Sequence, residues 1–284
     1  MIALVRTEFV KSLWRPRTLL LALFLVGLPV LIVAGFGNGQ PRPRDPGDDI
    51  GTFRLIRDSG VVAGPALLRR LASFLLVVLA GWFAGDTIAS DGSWGNLRYL
   101  LIRPVSRVRL LLAKTAVAFT MTFAAVLLVT YAAATAGAVK FGVAPIHVDG
   151  VPAALNQGIG IPTFDLSVAE QWLRCGLVAL YVTLGFGALI GLGVLFSTIA
   201  DQPTGAVAGA IGAYIASGIF DGIAIFGSFR NALPTHYSEA WRDCFIRDQW
   251  FTADIGRSLL VNACWFAVAI GLAMWWFRRK DIHT

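Results

Sequence analysis

The sequence predicts an all-α polytopic membrane protein with six transmembrane helices, and three observations carry that prediction. Only 14% of the 284 residues are charged while 56% are hydrophobic, with a mean hydropathy of +0.69. A soluble globular chain carries about 25% charged residues. The apolar residues gather in runs long enough to cross a bilayer as helices, about 20 residues each. Lys and Arg collect at the ends of those runs, so the net charge of +7 reads as membrane anchoring with lipids as partners and no nucleic acid.

Residues 1–15 place Ile2, Val5, Phe9 and Leu13 on one helical face, with Arg6, Lys11 and Arg15 largely elsewhere. That is the pattern of an interfacial helix lying along the membrane plane; the plainer reading is a basic flank to the first span. The first span is 18–36, with Pro29 as an expected kink. A polar, Pro- and Gly-rich loop follows to residue 64. The second span is 65–89. Its uncharged part is short, so Arg69 and Arg70 must snorkel at one interface and Asp86 must lie near the other.

The stretch 91–107 is too polar to cross. Trp94, Leu97, Leu100 and Leu101 share one helical face, Arg98 and Arg103 lie off it, Asp91 and Ser93 are N-cap types, and Pro104 ends the helix. Such a helix either lies on lipid or seats its apolar face in a groove of a soluble partner. The third span, 110–139, follows Arg107 and Arg109 and carries Lys114 in its first turns. After a loop over 140–172, Ser167 and Glu170 form a capping box that starts the fourth span, 173–200. Pro203 opens the fifth, 203–220, at a first helical position. The spacings Gly187…Gly191 and Gly205…Gly209 are expected to serve close packing within the bundle. Asp221 interrupts, and Gly222 to Phe229 is too short to cross, so 222–251 is expected as a re-entrant or surface-lying segment. Residues 230–257 mix Trp241, Phe245, Trp250 and Phe251 with charges, as an interfacial helix does. The sixth span, 258–277, stops at Arg278-Arg279-Lys280.

Six spans put both termini on one side. If that side is cytoplasmic, the outer loops hold 12 of the 17 acids, while the inner cations lie close to span ends. The chain is therefore read with both termini cytoplasmic. The three histidines, His147, His236 and His283, lie far apart, and neither a His-Glu-x-x-His helix nor a Gly-x-Ser-x-Gly elbow occurs. A P-loop is absent too, so the chain does not by itself bind ATP in that manner. Cys175, Cys244 and Cys264 make neither a disulfide framework nor a metal spacing.

The run Asp91-Gly-Ser-Trp-Gly-Asn-Leu-Arg-Tyr-Leu-Leu-Ile-Arg-Pro-Val-Ser-Arg107, with Leu-Leu-Ala-Lys114 after it, resembles the segment after the second span of the type-2 ABC exporter permeases. Those typically read Gly-Thr-Leu-Arg-x-Leu-Leu, then Pro-Val-Ser-Arg, then Lys; Asn96 stands where Thr is usual and Asp91 where Glu is common. Phe277-Arg-Arg-Lys-Asp-Ile282 is similar to the family's close. The resemblance implies a plasma-membrane permease, not itself an enzyme, that dimerises with a second copy or a different permease. It would bind a separate cytosolic ABC ATPase, which carries ATP and Mg, with no cofactor on this chain. The 94–102 helix would be the coupling helix, with Trp94, Leu97, Arg98, Leu100, Leu101 and Arg103 at the ATPase. Asp86, Asp91, Arg107 and Lys114 would mark the cytoplasmic span ends, and 222–251, with Asp221, Phe226 and Phe229, would be an external gate. The other reading is a non-transporting scaffold or sensor subunit that uses the same helix only for docking. Apolar spans favour a hydrophobic or amphipathic cargo; no substrate-binding residue is named.

Overall fold

The computed structural model describes residues 2–14, 16–36, 55–93, 106–148, 163–246 and 249–279. Among these the regular structure is helical apart from one small ladder. The helices are α1 (Ile2–Leu13), α2 (Pro16–Gly35), α3 (Ala63–Ala72), α4 (Leu75–Ser93), α5 (Arg107–Phe141), α6 (Val168–Gly185), α7 (Gly187–Ile199), α8 (Pro203–Gly222) and α9 (Ala253–Arg279). By length and composition α2, α5, α8 and α9 each suffice to cross a bilayer, and the pairs α3–α4 and α6–α7 each do so as one bent unit, giving four to six crossings. An all-α polytopic membrane protein is what the composition predicts.

The two bent pairs differ from expectation, because the sequence predicts 65–89 and 173–200 each as one continuous span. Between α3 and α4 the chain turns by 64°. Arg69 and Arg70 occupy the last turn of α3, where cations suit the negative helix end, and Ser73 Oγ donates back to Arg70 O at 2.9 Å. Between α6 and α7 the bend is 42°. It falls at Phe186, flanked by Gly185 and Gly187, and Thr183 Oγ1 donates to Ala179 O at 2.8 Å, a back-bond that bends helices. Pro29, in contrast, sits inside one uninterrupted helix, α2.

Helix α5 is the central post. Its 35 residues reach about 52 Å, well beyond the ~30 Å hydrocarbon core, so part of it stands clear of the core. It packs against α1, α2, α3, α4 and α6, while α7 fills the other half against α4, α8 and α9. Ser106 caps α5 by accepting from Arg109 N at 3.4 Å. At the far end Lys140 Nζ donates to Val33 O at 3.1 Å and Ala34 O at 2.7 Å, and also to Phe36 O, closing the carbonyl end of α2. The expected capping box is present: Ser167 N donates to Glu170 Oε2 at 2.9 Å and Glu170 N to Ser167 Oγ at 3.4 Å. Pro203 stands at the start of α8 as expected.

The loop expected over 140–172 holds a short antiparallel ladder, β1 (Ile146–Val148) with β2 (Phe164–Leu166). Ile146, Phe164 and Leu166 are buried while His147 and Asp165 pair on the open face at 2.6 Å, which is strand alternation over too few residues to read in advance. The run Ala224–Ala232 is 3₁₀ helix with none of its residues buried and a break at Gly227, where φ is 46°. It lies exposed, not tucked into the bundle. Residues 230–246 form turns and short helical pieces, where a longer interfacial helix was expected.

Gly191 packs tightly on α9, 3.1 Å from Phe266 Cα for an added Cβ, whereas Gly205 and Gly209 make only ordinary contacts. The closest crossing is one the spacing did not flag. A Cβ on Gly137 would sit 2.0 Å from Gly60 O, backbone against backbone. Gly137→Ala is therefore expected to lower the thermal unfolding stability of the purified chain by about 1–3 kcal/mol. Gly212→Ala, with nothing within 4 Å, should leave it unchanged or raise it by up to about 1 kcal/mol.

Candidate functional site

Polar residues distant in sequence meet at the two ends of the bundle. At the end carrying α1, a buried ionic cluster forms. Asp91, from the last turns of α4, accepts from Lys114 Nζ of α5 at 2.5 Å, with side-chain exposures of 3% and 6%. Lys114 also reaches Glu8 of α1 at 3.1 Å, and Lys11 reaches Asp91 at 3.3 Å. Two acids and two lysines thus alternate across three helices. Beside them Arg17 of α2 pairs with Asp86 of α4 and lies 5.9 Å over the Trp82 ring. Arg107 Nη1 donates to Phe277 O at 3.2 Å and Arg278 O at 3.4 Å, so the start of α5 holds the end of α9.

The cause is burial without water to share. A lysine and an aspartate removed from solvent are each costly alone and compensate only as a hydrogen-bonded pair. Glu8 and Lys11 lie three residues apart on α1 and therefore share a face, which is what lets one helix answer both buried charges.

The opposite end is built by the segment after α8. Phe226 packs edge-on to Phe220 at 5.4 Å and lies 6.4 Å from Phe229. Asp221 contacts His236 Nδ1 at 2.5 Å and Arg230 Nε at 3.5 Å. Residues 232–235 are tied to the helices below: Ser217 to Thr235 at 2.9 Å, Asn262 Nδ2 to Pro234 O at 3.2 Å, Trp265 Nε1 to Ala232 O at 2.8 Å. Arg174 Nη1 donates to Cys244 O at 2.5 Å, and Tyr181 Oη to Trp250 O at 2.8 Å.

Beneath this cap is a cavity of about 460 Å³. Both helix breaks open onto it, through Ser73 and Val77 beside the first and Gly185 and Phe186 at the second. A second hollow, about 70 Å³ between Glu8, Arg17, Asp86 and Lys114, is far smaller. Ligand pockets run from roughly 300 to 1,000 Å³, so only the larger one suits a molecule of drug size.

Trp94, Leu97, Arg98, Leu100, Leu101 and Arg103 lie outside the described residues. Asp91 and Lys114, the first and last residues of the family-like motif, meet in one ion pair, and Asp86 lies one turn and a half before Asp91 with its own cation. Arg107 joins the motif to the aromatic–basic close at Phe277 and Arg278. Asp221, Phe226 and Phe229 lie together at the other end. Sequence reasoning passed over Glu8, although it is the only acid in the first 44 residues. It also passed over Asn262, the one amide in the last span, which joins the cap to α9 and accepts from Ala188 N at 3.4 Å. Among the described residues no group of His, Cys, Asp and Glu could hold a metal ion.

The fold and these two ends define a multi-pass helical membrane protein whose polar groups are concentrated at its ends. A family model described as ABC-2 family transporter protein matches residues 4–169, more than half of the chain, and the chain belongs to that family. This is a family of membrane permeases, not of ATPases, whose members usually work with a separate ABC ATPase subunit. No curated protein matches the chain.

The ionic cluster makes a prediction about stability. Lys114→Met leaves two carboxylates facing one lysine and should cost about 3–5 kcal/mol in thermal or denaturant unfolding. Adding Asp91→Asn restores the charge balance between Glu8 and Lys11. The double variant should then be more stable than the single one.

Proposed function

We propose that the chain is the membrane-spanning subunit of an ATP-driven exporter in the plasma membrane, with both termini cytoplasmic. A cytosolic ABC ATPase docks on the 94–102 helix, and the chain works as a dimer. The observation that carries this reading is the Asp91–Lys114 ion pair at 2.5 Å. It ties the last turn of α4 to α5 about two turns after its start, joining the two helices that flank the 94–105 stretch. A push on that stretch therefore reaches both helices at one rigid, buried contact, and reaches α1 through Glu8 and Lys11.

Helix α4 then carries the displacement lengthwise. It runs from the cavity wall at Val77 to Asp91, about 21 Å along the axis. Its packing allows little slack: an added Cβ on Gly85 would sit 2.7 Å from Val207 of α8, and one on Gly193 of α7 would sit 2.5 Å from Ala84. Nucleotide closure of the ATPases would push the α1 end, tilt α4 against α7 and α8, and loosen the cap over the cavity. The segment around Asp221, Phe226 and Phe229 then acts as the external gate, and the direction of movement is outward.

A scaffold subunit would bind the same ATPase without moving anything, so binding alone does not separate the two readings. The chain isolated gently from its own membranes should bring with it a stoichiometric Walker-motif protein that hydrolyses ATP. Leu97→Asp and Leu101→Asp should insert normally and lose that partner, measured by co-isolation and by a fall in ATP hydrolysis to background. Retained binding and turnover in both variants would remove the 94–102 helix from the coupling role. A partner that binds while inverted vesicles accumulate no cargo on ATP addition would leave the scaffold reading.

A further inference from the structure

We propose that Asn262 is a positioning residue that makes the cap over the cavity and the break between α6 and α7 open and close together. The proposal deepens the permease reading and rests on it for its part in transport, but the linkage itself needs no ATPase.

A helix that starts inside a bundle has backbone N–H groups with no partner in a turn before them. Where α7 begins, Phe186 stands at the N-cap position and has no side-chain acceptor to offer. Asn262 of α9 supplies one from outside. Its Oδ1 accepts from Ala188 N at 3.4 Å, at the second residue of α7. The backbones are adjacent here, since a Cβ on Gly187 would lie 3.5 Å from Asn262 O.

The other end of the same amide faces the cap. Nδ2 donates to Pro234 O at 3.2 Å and, within α9, to Ser258 O at 3.0 Å. Asn262 is 1% exposed and Pro234 is buried, so a lost partner is not replaced by bulk water. The three partners fix the orientation of the amide, because two carbonyls need its NH2 and one N–H needs its oxygen. Turned over, it would satisfy none of them. A cap that draws Pro234 away leaves a buried donor unpaired, and a rotation that finds that donor a new partner takes the oxygen from Ala188. The remaining ties act differently: Trp265 to Ala232 and Ser217 to Thr235 each join the cap to a single helix, α9 or α8. Helix α7 packs backbone-close on α4 at Gly193 and Ala84. Displacement of α4 therefore reaches the cap through α7 and this one side chain.

Hydrogen–deuterium exchange on the full chain in lipid nanodiscs reads the linkage. The break lines the cavity through Gly185 and Phe186, so its opening exposes the Ala188 N–H to exchange. Thr235→Val and Trp265→Phe each remove one cap tie and leave Asn262 in place. Each should speed exchange at 235–237 about threefold to tenfold and at Ala188 about twofold or more, with the β1–β2 ladder unchanged. Asn262→Leu by itself should speed exchange at both places. Adding Thr235→Val to it should speed 235–237 further with no further change at Ala188. General loosening of the fold would instead move the ladder as well. Faster exchange at 235–237 with Ala188 unchanged in both cap variants overturns the proposal. So does an Asn262→Leu chain that changes at one place only, or an equal rise at Ala188 from Thr235→Val with and without Asn262. Linked exchange in a chain that recruits no ATPase would sink the exporter reading alone. An active exporter complex in which trapped ATP speeds exchange at 235–237 and not at Ala188 would sink this inference alone.

Discussion

The structure depends first on one buried ion pair, Asp91 with Lys114. It joins α4 to α5 near the end where the polar 94–105 stretch departs, beside the ties of Asp86 to Arg17 and of Arg107 to the end of α9. A lysine on the inner face of a membrane helix is costly unless an acid answers it. Here two answer, Asp91 at 2.5 Å and Glu8 at 3.1 Å, and Lys11 restores the balance. The same contact thus recruits α1 to the bundle. An apolar face alone would let that helix lie anywhere on the membrane surface; its charges select one place.

The other end follows from the two bends. A straight helix leaves no room beside its neighbour, whereas breaks of 64° and 42° in adjacent spans leave a hollow that the segment after α8 covers. The cap is held mostly by side chains reaching backbone carbonyls, such as Asn262 to Pro234 and Trp265 to Ala232. Such contacts can be exchanged one at a time, unlike the interlocked glycine crossings at Gly60–Gly137 and Gly193–Ala84. The molecule therefore has a stiff middle, a charged root at one end and an exchangeable cover at the other.

The membrane-spanning class and the long apolar helices α2, α5, α8 and α9 were legible because composition and run length are set by the bilayer, and the caps Ser167 and Pro203 because their chemistry is local. The bends were not legible. Their causes, Arg70 with Ser73 and Thr183 beside Phe186, are single hydrogen bonds and glycines inside runs that remain apolar. The motif residues Asp91, Arg107 and Lys114 stand out individually, but their pairing was hidden because one partner lies 80 residues away in Lys11 and another 170 away in Phe277. Glu8 and Asn262 carried a compositional signal, a lone acid among cations and a lone amide in a span. The ladder of β1 and β2 gave none, since three residues of alternation are indistinguishable from chance.

The central claim is that events at the charged root move the cover at the far end. Spin labels at Ile225 and Val139, which are 87% and 88% exposed, report the distance between the segment after α8 and the C-terminal end of α5. They require Cys264, the exposed cysteine, to be replaced by Ser. Pulsed dipolar spectroscopy on the permease–ATPase complex in nanodiscs, with and without trapped ATP, reads that distance directly. The account predicts a second distance population with ATP, and its loss when Asp91→Asn and Lys114→Met are combined although ATP is still hydrolysed. One unchanged distance in the parent complex during active hydrolysis would contradict it.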